Sequence, residues 1–173
     1  MEKRTYTILF AMIMLLVFVS ASFAQVSDAP SSVVAALTIK LAGFAQNVSG
    51  TAGDVTVYVL GAPDVAAELQ KGVGKPIGKA TLSKVESGTD LPATPPSILC
   101  VGDASKLDAA ISFTQANKVL SVTGLTDLVA KGVTLGIGVG ADNKPKILLN
   151  LTSSNEEGIS WNPAIMKVAK TIK

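Results

Sequence analysis

Residues 133–151, VTLGIGVGADNKPKILLNL, hold three glycines at alternate positions, Gly136, Gly138 and Gly140. Such a pattern is typical of a dinucleotide-binding loop only where the glycines follow a strand and open a helix, whose N-terminus holds the pyrophosphate. Here the glycines alternate with apolar residues, Asp142-Asn143 favours a turn, and Lys146 to Leu151 predicts a second strand. The stretch therefore predicts a β-hairpin. Its glycines would permit close approach of a neighbouring element, or a bulge.

Upstream of this hairpin, predicted strands alternate with predicted helices. Apolar and β-branched runs predict strands at Asp54 to Leu60, Ala80 to Val85, Ile98 to Val101 and Val119 to Val122. Helical spacing of apolar residues predicts helices at Ser32 to Val48, Asp64 to Lys71 and Ser105 to Asn117, with a shorter one at Thr126 to Lys131. This alternation favours a single α/β domain of layered architecture, with a mainly parallel sheet flanked by helices.

The last residues predict a terminal helix after the hairpin. Asn162 is a good N-cap, and Pro163 suits the first helical position. Trp161 and Met166 have the spacing of a hydrophobic staple. Ile165, Val168 and Ile172 would form the buried stripe, and Lys167, Lys170 and Lys173 the opposite face. A solvated lysine face is the simpler interpretation of these lysines, and a basic docking surface is the alternative.

The first 24 residues have the layout of a secretory signal peptide. Lys3 and Arg4 precede twelve apolar residues, Ile8 to Val19, and Ser22-Phe23-Ala24 places small residues before a cleavage point at Gln25. Twelve residues fall short of the roughly 20 that span a bilayer, although an uncleaved anchor remains the alternative. We expect residues 1–24 to be removed after Ala24. The periplasmic chain would then be one domain of residues 25–173, with no membrane span.

Composition excludes several classes of function. The chain has no histidine, which removes Ser-His-Asp and Cys-His catalysis and most zinc sites. It has 15 basic and 13 acidic residues, so a nucleic-acid partner is not expected. Cys100, the one cysteine, lies in an apolar run and predicts a buried side chain rather than a reactive thiol.

Three carboxylates follow predicted strands, where α/β proteins tend to place their sites: Asp64, Asp103 and Asp127. Each lies at the start of a predicted helix, so capping or compensation of the helix dipole explains it more simply. We therefore predict no catalytic, cofactor-binding or metal-binding residue, no cofactor, and no enzymatic activity.

Four segments in order resemble one family over nearly all of the mature chain. They are SVVAALTIKLAGFAQNV, VTVYVLGAPDVAAELQKGVGKPIGKATLSKV, ILCVGDASKLDAAISFTQANKVLSVTGLTDLVAKGVTLGIGV and PKILLNLTSSNEEGISWNPAIMKVAKTIK. The chain resembles the YfiR/HmsC-like family of small periplasmic proteins. The most specific piece is LSVTGLTDLVAKG, followed by the hairpin and the Glu-Gly-Ile-Ser lead into the last segment.

The resemblance implies a binding role. YfiR-like proteins repress a membrane-bound diguanylate cyclase by binding its periplasmic part, which lowers cyclic di-GMP and biofilm formation. Disulfides bear on the stability and redox response of the better-studied regulators, whereas this chain has only Cys100, so the resemblance leaves open whether redox control applies here. The expected partner is the periplasmic domain of an inner-membrane signalling protein, with the contact residues and oligomeric state open. The alternative is an envelope module that binds a small ligand or cell-wall fragment.

Overall fold

The computed structural model describes residues 26–50 and 52–172, so the signal peptide prediction lies outside the described residues. The described chain forms one domain around a single mixed sheet. Its strands are β1 (Ser27–Asp28), β2 (Asp54–Leu60), β3 (Pro76–Ile77), β4 (Ala80–Gly88), β5 (Ile98–Val101), β6 (Leu120–Thr123), β7 (Leu135–Val139), β8 (Pro145–Asn150) and β9 (Ala169–Ile172).

Five parallel strands form the centre of the sheet in the order β4-β2-β5-β6-β7. The predicted hairpin is present, because β8 runs antiparallel to β7, and β9 lies parallel to β8 at one end of the sheet. At the other end, β3 is antiparallel to β4. β2 lies between β4 and β5, the next two parallel strands in chain order. The connection from β2 therefore runs to one side and the connection from β5 to the other, so the gap between β2 and β5 is a topological switch point. The predicted α/β fold with a mainly parallel sheet is confirmed.

Helices cover both faces of the sheet. They are α1 (Ser31–Ala42), α2 (Gln46–Ser49), α3 (Pro63–Gln70), α4 (Leu107–Asn117) and α5 (Leu151–Glu156). α1 and α3 contribute to a hydrophobic cluster on one face, and α4 contributes to a second cluster on the other. Within residues 26–50 and 52–172, no helix has the length and apolar character needed to cross a membrane.

The central strand β5 is buried on both faces. Ile98 and Cys100 belong to the cluster under α1 and α3, and Leu99 and Val101 belong to the cluster under α4. An unbroken apolar run is what a strand between two helical layers requires, since its successive side chains point to opposite faces. The apolar run of four residues thus specifies a central position in the sheet.

The thiol of Cys100 is expected to react very slowly in the folded chain. Its side chain is 3% exposed, and burial raises its pKa to about 12, against a smaller opposing effect of a hydrogen bond with Thr38. Because the thiolate is the nucleophile, labelling by a thiol reagent should be at least roughly 100-fold slower in buffer than in denaturant. Stopped-flow labelling measures both rates, and equal rates would contradict the buried position.

The first helix is shorter than predicted. The predicted helix Ser32 to Val48 divides into α1 and α2, with Ala45 in an extended conformation between them. Ala45 pairs with Trp161 in an isolated antiparallel bridge, and the amide of Gln46 donates to the carbonyl of Ser160 (2.8 Å). Gly43 has a low helix propensity, and this tertiary pairing uses backbone groups that a continuous helix would need.

The predicted terminal helix is confirmed over one short stretch and is wrong beyond it. Asn162 caps as predicted, since its side chain accepts from the amide of Ala164 (3.0 Å), but the stretch that follows is a 3₁₀ turn, Pro163–Lys167. The chain then continues as β9. A ten-residue helix is marginal on its own, whereas the β-branched residues Val168, Thr171 and Ile172 suit a strand beside the otherwise unpaired edge of β8.

The glycine stretch has the predicted role of permitting close approach. A Cβ on Gly136 would lie 2.2 Å from Val129 Cγ2. A Cβ on Gly138 would lie 2.4 Å from Val26 Cγ1 and 2.8 Å from the carbonyl oxygen of Ser27. Gly136 thus leaves room for Val129, and Gly138 leaves room for the residues before and within β1, which pairs antiparallel with β7.

Candidate docking edge

The clearest candidate for a binding surface is the end of the sheet formed by β9 and the three residues before it. Three large hydrophobic side chains are exposed in the described part of the chain, Val73, Met166 and Val168. Two of them lie in this segment, with Met166 45% and Val168 53% exposed. Residues 166–172 are called the docking edge below. Exposed apolar side chains that adjoin one another mark interaction surfaces more often than isolated ones do.

The docking edge is cationic. Lys167 and Lys170 are exposed, and residues 160–172 contain no aspartate or glutamate. The five salt bridges found within the described residues involve other lysines, so Lys167 and Lys170 have no acidic partner there. A partner with acidic and apolar side chains would match this surface in charge and polarity.

β9 also presents an open backbone edge. Within the described residues it pairs only with β8, so its other side offers unpaired amides and carbonyls. Lysines on an edge strand disfavour pairing with a second copy of the same strand. The edge therefore favours a partner of opposite charge over self-association. The sequence indicated a basic docking surface at these lysines only as the alternative interpretation, and the predicted helix placed Val168 in the core rather than on this surface.

Two of the three aspartates that follow strands have side-chain or backbone partners, and the third lies in the first turn of a helix. Asp103 Oδ1 accepts from the amide (2.8 Å) and the hydroxyl (2.7 Å) of Ser105, and these bonds lower the pKa of Asp103. Asp127 pairs with Lys131 (2.7 Å), whose hydrogen bond lowers the pKa of Asp127. Asp64 lies in the first turn of α3. All three therefore have the capping and dipole-related positions that the sequence predicts.

The switch point between β2 and β5 holds little space. A Cβ on Gly102 would lie 2.3 Å from Ala62 Cβ, and one on Gly61 would lie 2.5 Å from Asp103 Cβ, so the two loops pack directly on each other. The crevice beside them, lined by residues 61–63 and 87–89, encloses about 210 Å³. Small-molecule sites usually enclose about 300–1,000 Å³, so this crevice is small for one.

A larger open groove lies where the crossover from β4 to β5 is a proline-rich loop. It encloses about 540 Å³ between the loop residues 91–96 and the polar side chains of β2 and β4. Tyr58 anchors the loop by donating its hydroxyl to the carbonyl of Asp90 (2.7 Å), and Lys84 pairs with Glu86 (2.8 Å). The charged groups of the groove satisfy each other and so do not converge on a ligand.

Fold and surface together have the features of a small α/β binding domain. The profile of the YfiR/HmsC-like family matches residues 31–170, and the chain belongs to this family. The family is regulatory and non-catalytic, and membership supports a periplasmic regulatory protein of cyclic di-GMP signalling. No curated protein matches the chain.

Solved structures support the fold. One similar structure is the crystal structure of a conserved domain protein from Vibrio cholerae O1 biovar El Tor, with a TM-score of 0.52 and 15% sequence identity. The similarity covers 83% of this chain, which spans 60% of the length of the Vibrio protein. At this identity the likeness shows the fold alone.

Proposed function

We propose that this protein is an exported repressor that binds the periplasmic domain of an inner-membrane diguanylate cyclase through the docking edge. Family membership supports the regulatory role. The main support for this mode of binding is that the docking edge is exposed, cationic and apolar. Met166 and Val168 lie there beside two lysines that form no salt bridge among the described residues. Export by the signal peptide, with cleavage after Ala24, would place this edge in the periplasm.

Repression of this kind requires a difference in binding free energy. The protein must bind the inactive state of the cyclase more tightly than the active state, because equal affinity for both would leave the equilibrium unchanged. The docking edge would supply that difference if the cyclase presented the matching acidic and apolar groups only in its inactive state. The lysine charges would also raise the rate of association with an acidic partner. That rate would then fall as the salt concentration rises.

Charge reversal on the docking edge is expected to abolish repression. In a strain that lacks the gene, the exported double variant Lys167→Glu, Lys170→Glu should leave cyclic di-GMP and surface attachment at the raised level of the deletion. Both side chains are exposed, so the variant should fold normally. The measurement is cyclic di-GMP by mass spectrometry, beside circular dichroism of the purified variant.

The matched control reverses two exposed lysines at the opposite end of the sheet, Lys75→Glu and Lys79→Glu, and should restore repression as the wild type does. Wild-type residues 25–173 made without the signal peptide should not repress, because they would remain in the cytoplasm. Full repression by the Lys167, Lys170 variant would exclude the docking edge. Unchanged cyclic di-GMP in the deletion strain would exclude the cyclase as the target.

The second candidate function is binding of a small ligand or cell-wall fragment in the envelope. The observation in its favour is the groove of about 540 Å³ beside Tyr58. Its lining is open and polar, and its lysine and glutamate are already paired. This groove therefore supports ligand binding less strongly than the docking edge supports a protein partner.

A further inference from the structure

Glu157 is a fully buried carboxyl group that lies outside the docking edge. The residue is 0% exposed, whereas its neighbour Glu156 is exposed. Glu157 Oε2 accepts a hydrogen bond from the amide of Ser121 (3.0 Å), and Oε1 has no hydrogen-bond partner among the described residues. Burying a carboxylate oxygen without a donor is unfavourable if the group is charged.

The carboxyl group occupies a notch between β6 and β7. Pairing of these strands begins at Val122 and Leu135, so Ser121 and Thr134 precede the paired region. The amide of Thr134 donates to the hydroxyl of Ser121 (2.8 Å), and the amide of Ser121 donates to Glu157. The side chain of Glu157 thus accepts a hydrogen bond at a point where the two strands do not pair with each other.

Among residues 26–50 and 52–172, no lysine forms a hydrogen bond or salt bridge with this carboxyl group. β6 and the approach to β7 present the hydroxyls of Ser121 and Thr134, and α4 presents that of Thr114. Lys118, at the end of α4, donates instead to the backbone carbonyl of Glu156 (2.8 Å). The carboxylate of Glu156 faces outward and accepts from Gln115 Nε2 (2.7 Å).

A neutral carboxyl group fits this notch better than a charged one. Burial raises the pKa of Glu157, and the hydrogen bond from the amide of Ser121, with the polar hydroxyls of Thr134 and Thr114 nearby, opposes the rise only in part. The hydroxyl oxygen of Thr134 is also buried without a partner. Protonation removes the negative charge that the buried, unpartnered Oε1 would otherwise share.

Glu157 lies at the start of the segment that leads to the docking edge. Immediately after it, the amide of Ile159 donates to the carbonyl of Ser154 (2.8 Å). The amide of Asn162 donates to the carbonyl of Phe44 (2.7 Å), beside the bridge between Ala45 and Trp161. The end of α5 therefore connects the sheet with the segment that precedes residues 166–172.

We propose that Glu157 is a proton-operated latch. Its neutral carboxyl group holds the end of α5 in the notch between β6 and β7. Loss of the proton weakens this hold and loosens the segment 159–172, which carries the docking edge.

The expected pH dependence follows from the direction of the shift. The folded chain holds the proton of Glu157 more tightly than the unfolded chain does, in which the pKa has its ordinary value of 4.5. Below pH 4.5 this group makes the free energy of unfolding neither rise nor fall with pH. The free energy of unfolding then falls as pH rises through the window from 4.5 to the raised pKa. Asp103, Asp127 and Asp142, whose pKa values are lowered from 3.8, act in a separate window at lower pH.

Urea unfolding from pH 4.5 to 9 tests the latch. For the wild type, the folding equilibrium constant should fall by up to about tenfold per pH unit within the window. Glu157→Gln mimics the neutral acid, since glutamine is uncharged, has nearly the same shape and can accept from the amide of Ser121. Its folding constant should change less than about twofold over the same range. The matched control Glu156→Gln alters the exposed neighbour and should follow the wild type.

Two further measurements complete the test. Above the window, amides of Ser121 and of β9 should exchange hydrogen faster in the wild type than in Glu157→Gln, and equal protection would overturn the latch. Carbon-13 NMR of the wild-type protein should show the carboxyl group of Glu157 titrating above its ordinary value of 4.5. Titration of Glu157 at or below that value would overturn the proposal, and this holds even where Glu157→Gln does not fold.

Discussion

Replacing Gly138 by valine is expected to destabilise the folded chain by at least about 3 kcal/mol, at the upper end of the usual cost of overpacking. A Cβ at this position would already lie 2.4 Å from Val26 Cγ1 and 2.5 Å from Thr126 Cγ2. It would also lie 2.8 Å from the backbone oxygen of Ser27, which cannot move without breaking the pairing of β1 with β7. Urea unfolding followed by circular dichroism measures the loss.

The control for this variant is Ala141→Val in the turn of the same hairpin. Ala141 is exposed, so its stability should change by no more than about 0.5 kcal/mol. A Gly138→Val protein as stable as the wild type would mean that β1 does not lie against this position. The comparison separates the close approach at Gly138 from any general effect of adding a branched side chain to the hairpin.

Asn150→Asp is expected to cost about 3–5 kcal/mol, the range for leaving a buried charge without a partner. Asn150 is buried at the end of β8 and caps α5 by accepting from the amide of Ser153 (3.0 Å). Its Nδ2 donates to the carbonyl of Val129 (2.8 Å). Aspartate keeps the acceptor but replaces the donor with a negative oxygen facing that carbonyl. Unfolding in urea at pH 7 measures the difference.

The same substitution at another N-cap provides the control. Asn162 is exposed and caps the 3₁₀ turn through its side-chain oxygen, a role that aspartate performs equally well. Asn162→Asp should therefore change stability by no more than about 0.5 kcal/mol. Similar losses for both variants would show that the side-chain donor of Asn150 has no energetic role, and would contradict its buried bond to Val129.

These two positions differ in how far the sequence reveals them. Alternate glycines in an apolar run predict a strand with a close neighbour, and that neighbour proves to be β1 and the residue before it. Asn150 belongs to the strand that the sequence predicts, but its second bond, to Val129, joins positions 21 residues apart. A local pattern identifies the type of element and cannot identify a distant partner.

Local sequence by itself determined the layered architecture. Apolar runs of four to seven residues specified β2, β5 and β6, turn residues specified the β7-β8 hairpin, and Asp103 and Asn162 specified their caps. These features depend on side-chain periodicity and on hydrogen bonds to residues two positions away. Both are fully present in a short segment, so no knowledge of the rest of the chain is needed.

Only the tertiary structure decided the two features on which the functional proposals rest. Residues 163–172 have a helical pattern, yet the open edge of β8 pairs with 169–172, and this exposes Val168 in the docking edge. Glu156 and Glu157 are identical neighbours in sequence, yet the separation of β6 and β7 buries only the second. An edge that needs a partner and a notch that admits a side chain arise only when distant strands meet, so no local pattern contains them.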